Sequence, residues 1–137
     1  MKQAPKGDLN VEEWLKKAKE DEWTCEVLFR EKRIVPSIIC FHAEQMAEKY
    51  LKALLIARSG EYPKIHDLKR LATLIETYEK DIFDLESELN ILNKYYPATR
   101  YPGDFPEGFS REDAHEAFAA AKRVKEFILA KIKNAEK

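Results

Sequence analysis

Cysteine is scarce in this 137-residue chain, with only Cys25 and Cys40 present. The two form neither a CxxC pair nor a zinc-ligand spacing, which excludes a dithiol redox motif and a cysteine-based metal site. Both fall on apolar helix faces, so reduced, buried thiols are expected; a disulfide would require a disulfide-tolerant cytosol. An excess of one charge is also missing: 24 Lys and Arg against 25 Asp and Glu leave a formal net charge of −1. That balance argues against a broad electrostatic surface for nucleic acid, which needs a clear basic excess, while leaving room for a local basic site. No early stretch combines a charged start with a continuous apolar run, and no apolar run is long enough to cross a bilayer, so a cytoplasmic protein is expected. Strict apolar–polar alternation, internal repeats and low-complexity tails are absent too, and with them the usual signs of strands or solenoids. There is no glycine-rich phosphate cradle and no nucleophile elbow.

Helical periodicity fills the chain instead, and its length suits one domain over residues 1–137, with 1–8 a loose start. Val11, Trp14, Leu15, Ala18, Cys25, Leu28 and Phe29 recur at helical spacing between Leu9 and about Lys32. Trp23 and Val27 fall on the opposite side of that helix and suggest a contact with a partner subunit or a neighbouring loop. A second helix opens at Pro36, which the first turn tolerates, and ends near Ser59-Gly60, where glycine caps it. Its apolar side chains cover well over half of its circumference at about 100° per residue. His42, Gln45, Lys49 and Lys52, spaced three, four and three apart, form a narrow polar stripe on what reads as the central helix of a bundle.

The third helix starts at His66-Asp67 and carries Leu68, Leu71, Ala72, Ile75 and Tyr78. A break near Lys80-Asp81 precedes a further stripe of Ile82, Leu85, Leu89 and Leu92. The tract from Pro97 to Phe109, with three prolines and two glycines, excludes a continuous helix. Ser110-Arg111-Glu112-Asp113 resembles a capping box with Asp in place of Glu or Gln. It opens a last helix whose inner face reads Ala114, Ala117, Phe118, Ala121, Val124, Ile128 and Ile132. The fold class is therefore all-α, an antiparallel up-and-down four-helix bundle with its third unit split. A di-metal centre in such a bundle needs two E-x-x-H motifs and two inward Glu ligands; only Glu112-Asp113-Ala114-His115 supplies one, so no metal and no cofactor are expected.

Three segments in order point to a family: Cys40-Phe41-His42-Ala43-Glu44-Gln45-Met46-Ala47-Glu48-Lys49-Tyr50-Leu51-Lys52-Ala53-Leu54-Leu55, then His66-Asp67-Leu68 followed by Leu71, then Tyr95-Tyr96-Pro97-Ala98-Thr99-Arg100-Tyr101-Pro102. Together they resemble HEPN domains over nearly the whole chain. That resemblance implies a four-helix bundle, often dimeric, with a role in nucleotide binding beside a minimal nucleotidyltransferase, or in toxin–antitoxin pairs that cleave RNA. The ribonuclease members use an Arg and a His with four to six residues between them near the start of the last helix, where a cation stabilises phosphorane charge and imidazole moves a proton. Arg100 has no such His, and Arg111 and His115 have only three residues between them, so the chain departs from that pattern.

The expected ligand set is then Lys49 and Lys52 for phosphate, Gln45 for a base edge or sugar hydroxyl, Arg100 as a phosphate fork, Tyr101 or Tyr96 for base stacking, and His66 as a donor near a helix start. Against it stands a solvated stripe in which Glu48 pairs with Lys52 at i,i+4, or a polar network of His42, Gln45 and Arg100 that orders the long loop. The leading expectation is a non-catalytic, homodimeric HEPN module that binds a nucleotide or nucleotide-bearing ligand with a separate nucleotidyltransferase as partner. The alternatives are a toxin-like, metal-independent ribonuclease using Arg111 and His115, and a pure interaction module.

Overall fold

The computed structural model describes residues 8–96 and 108–135. Among the described residues, five α-helices and one 3-10 turn form the bundle: α1 (Asp8–Phe29), α2 (Pro36–Ser59), α3 (Leu68–Glu76), the turn Ile82–Leu85, α4 (Glu86–Asn93) and α5 (Arg111–Ala135). No strand occurs among the described residues. No helix among them is long and apolar enough to cross a membrane.

Local chemistry sets the element boundaries. Helix α1 ends at Phe29, three residues earlier than the periodicity predicts, because the chain tightens into i→i+3 bonds from Arg30 N to Val27 O and from Glu31 N to Leu28 O. Val35 is extended, as a residue before proline must be, and Pro36 then begins α2 with a φ already suited to a helix. At the other end Gly60 adopts φ 81 and its N–H donates to Ile56 O, a left-handed cap that an L side chain would strain. The third helix begins at Leu68 rather than His66, because Asp67 is its N-cap and accepts from the N–H groups of Lys69 and Arg70. Before α5, Ser110 and Asp113 bond reciprocally: Ser110 N donates to Asp113 Oδ2 at 2.9 Å, and Asp113 N donates to Ser110 Oγ at 3.0 Å.

Helix α2 is the hub, in contact with α1, α3, α4 and α5. It buries Ile39, Ala43, Met46, Ala47, Tyr50, Leu51, Leu54 and Leu55, and the whole predicted inner stripe of α5, which packs on α2 and α4, is buried. The third unit is split into α3, the 3-10 turn and α4, each presenting two or more buried leucines or isoleucines to the core. Both cysteines are free and buried. Cys25 Sγ donates to Ile39 O at 3.6 Å across the α1–α2 seam. Burial pushes the thiols up to about 12 for Cys25 and about 11 for Cys40, so both stay protonated and unreactive at neutral pH.

Candidate functional site

Two buried carboxylates organise the polar arc of α2. Asp21 lies on the inner seam of α1 between Ala18 and Cys25. Its Oδ1 accepts from His42 Nδ1 at 2.8 Å and its Oδ2 from Lys49 Nζ at 2.6 Å. His42 and Lys49 are two helical turns apart and share a face, so one carboxylate on the neighbouring helix holds both. Their side chains remain 27% and 24% exposed, whereas Asp21 is almost covered. The bond through Nδ1 leaves the imidazole Nε2 for another partner, and the ammonium of Lys49 keeps two further donors.

Glu48 organises the other flank. Its Oε2 accepts from Lys52 Nζ at 2.8 Å and from His66 Nδ1 at 2.9 Å. The i,i+4 pair predicted for Glu48 and Lys52 is present, but it is interior rather than solvated: Lys52 is 3% exposed. Its ammonium lies 5.6 Å from the ring centroids of both Trp14 and Tyr62. Those rings meet edge to face at 4.9 Å and close over it. Lys52, expected to meet phosphate, is instead buried with its ammonium between the Glu48 carboxylate and two aromatic rings. His66 is half exposed, and its ring lies tilted against Tyr96 at 5.8 Å.

Between the flanks, Gln45 Nε2 donates to Glu44 Oε1 at 2.7 Å, which leaves the amide oxygen of Gln45 as an acceptor. Glu44 is 0% exposed. Burial pushes its carboxyl up to about 8, against the pull of the Gln45 bond, so it is largely protonated at neutral pH. Glu44 Oε2 and, one turn along, Glu48 Oε1 have no hydrogen-bond partner among the described residues. The polar arc thus runs from Glu44 round to His42, about 160° at about 100° per residue, and is much wider than the stripe of four read from the sequence.

Three residues escaped the sequence reading: Asp21, Glu44 and the full role of Glu48. A signal was present, because Asp21 interrupts the seam Ala18–Cys25 and Glu44 the seam Cys40–Ala47, and a carboxylate on an apolar seam requires a partner. Of the predicted ligands, the structure brings Gln45 and Lys49 to one face, with His66 on its flank. Arg100 and Tyr101 lie outside the described residues. Arg111 opens α5 and is exposed, while His115 stacks on Phe29 with centroids 4.6 Å apart and planes at 24°. No hydrogen bond or ion pair among the described residues joins either to the Asp21 cluster. Among those residues, no group of three or more His, Cys, Asp or Glu is placed to hold a metal ion.

Comparison with known proteins agrees with this architecture. The structure resembles the crystal structure of an archaeal HEPN homologue with a TM-score of 0.69 and 25% sequence identity, covering 89% of this chain and 97% of that one. No curated protein matches the sequence. The HEPN domain model matches residues 11–133, which span α1 to α5. The chain belongs to the HEPN domain family.

Proposed function

We propose that the protein is a non-catalytic HEPN module that binds a nucleotide, or a nucleotide-bearing partner, on the face formed by His42, Gln45 and Lys49. It acts as a homodimer together with a separate nucleotidyltransferase. The observation that carries the reading is the shared grip of Asp21 on His42 and Lys49, which fixes two nitrogen groups side by side on a partly open surface. A lysine held in one geometry loses less rotamer freedom when it meets an anion. Gln45 adds an amide oxygen suited to a sugar hydroxyl or an exocyclic amine, and His66 stands at the edge of the same arc. Arg100 and Tyr101 belong to this proposal through their chemistry, guanidinium for phosphate and phenol ring for base. Lys52 contributes indirectly, by neutralising Glu48 beneath the face. The non-catalytic part rests on the missing Arg–His spacing and on the engagement of the His115 ring with Phe29.

Calorimetric titration with AMP and ATP tests the reading. Binding in the micromolar to sub-millimolar range is expected, and Lys49→Ala or His42→Ala should weaken it about tenfold each, as for loss of one hydrogen bond to a charged group. Unchanged binding in both variants removes the assignment.

A further inference from the structure

Helices α1 and α5 both pack on α2, and between them a cleft of about 400 Å³ opens over Tyr50. One turn further along, Lys125 Nζ donates to Glu22 Oε1 at 3.1 Å and to Glu22 Oε2 at 2.9 Å, an ion pair that ties α5 to α1 and ends the groove. Tyr50 reaches the cleft from α2. It is 1% exposed, and its hydroxyl is buried without a hydrogen-bond partner among the described residues. Burial pushes the phenol up to about 12, so the group stays an O–H that can both donate and accept. A buried hydroxyl left unpaired lowers stability, and phenylalanine would fill the same space without that penalty. Leu15 of α1 and Leu129 of α5, both partly buried, form apolar walls. The α1 rim carries Glu12 and Glu13, then Lys16 and Lys19. All four are exposed, and none makes an ion pair with another described residue.

Size, lining and charge select the occupant. Ligand pockets span about 300–1,000 Å³, so a cleft at the lower end of that range takes a small metabolite. Leucine walls and a phenol ring favour a flat apolar body, and its far end needs a polar atom for the Tyr50 hydroxyl. At the mouth, carboxylates and ammoniums stand within two turns of one helix. A ligand of one charge would be repelled by half of them, whereas a zwitterion pairs with both signs. An α-amino acid with an aromatic side chain ending in a hydroxyl carries these parts in this order. We propose that the cleft binds a free aromatic amino acid of the tyrosine type, with its side-chain hydroxyl on Tyr50 and its ammonium and carboxylate on the Glu12–Lys19 rim. The site shares no residue with the His42, Gln45 and Lys49 face and does not depend on it.

Titration of wild type and Tyr50→Phe with L-tyrosine, L-phenylalanine, tyramine and phloretic acid, followed by ligand-observed NMR, tests the assignment. Wild type should bind L-tyrosine with a dissociation constant below millimolar. L-Phenylalanine should bind at least about tenfold more weakly, because it leaves the buried hydroxyl unpaired. Tyramine lacks the carboxylate and phloretic acid the ammonium, and each should bind more weakly than L-tyrosine. In Tyr50→Phe the preference for L-tyrosine over L-phenylalanine should vanish. The thermal midpoint of the ligand-free protein is a second readout: Tyr50→Phe should melt no lower than wild type, since it deletes an unpaired group and keeps the ring. A midpoint several degrees lower would show that the hydroxyl is already satisfied, by a trapped water for example, and overturns the proposal. No binding of L-tyrosine to wild type at millimolar concentration, or a tyrosine preference that survives Tyr50→Phe, overturns it as well. The double variant Lys16→Ala, Lys19→Ala should reduce the affinity for L-tyrosine to that for tyramine, and unchanged binding removes the rim from the site.

Discussion

Glu44 shows how much a single buried group decides. Its carboxyl is fully covered, bonded by Gln45 on one oxygen and unpartnered on the other, and is raised to about 8 by burial. In the unfolded chain the same group titrates at its ordinary value of 4.5. Between those values the folded protein holds a proton that the unfolded chain has released, so this group makes stability fall as pH rises from about 4.5 to about 8. The contribution is greatest below the lower value and gone above the upper one. Glu44→Gln keeps the shape and removes the titration. Urea midpoints measured from pH 5 to pH 8.5 should therefore fall less with pH in the variant, which should be the more stable protein at pH 8 by a few kcal/mol. Parallel pH profiles would show that Glu44 is ionised in the fold. Lys52 illustrates the opposite arrangement: its buried charge is matched by Glu48 and by two aromatic faces, and removing Glu48 leaves the ammonium buried without a carboxylate, at a cost of about 3–5 kcal/mol.

At the scale of elements, boundaries were more legible than sites. Pro36, Gly60, Asp67 and the Ser110–Asp113 box each act within a few residues of themselves, so a one-dimensional pattern is enough to find them. The inner stripe of α5 was readable for the same reason, because 3.6-residue periodicity is a local property. Asp21 was not, since its partners lie 21 and 28 residues away on another helix, and a lone carboxylate on an apolar seam gives no hint of which residue completes it. The cavity lined by Ser37, Ile38, Phe41, Tyr95 and Phe109 is harder still, because its walls come from three separate parts of the chain. The local signals have measurable weight. Ser110→Ala should remove the bond to Asp113 N and destabilise the protein by about 1 kcal/mol, a few degrees in a thermal melt. Ser110→Asp should recover most of that loss by supplying another acceptor. A full loss in both variants would place the role of Ser110 somewhere other than the cap.

The molecule as a whole leaves a specific apolar surface outside its core. Trp23 is 61% exposed on the outward face of α1, with the partly buried Val27 one turn beyond it. The bundle closes without them, since the inner seams of α1 and α5 already surround α2. A tryptophan side chain supplies about 150–250 Å², and a stable protein–protein interface buries about 1,200–2,000 Å² in total, so Trp23 can be the centre of a dimer contact but not the whole of it. If the homodimer proposed above uses this face, Trp23 is its anchor, because tryptophan is the residue type most enriched among those whose truncation costs about 2 kcal/mol or more. Light scattering should then give about twice the 16.0 kDa of the single chain. Trp23→Ala should raise the dimer dissociation constant by at least about thirtyfold, the equivalent of 2 kcal/mol, without lowering the thermal midpoint of the monomer. A wild-type monomer at tens of micromolar would rule out the dimer. A dimer indifferent to Trp23→Ala would move the interface to another face, and the exposed Ile38 in the first turn of α2 would then be the next residue to substitute.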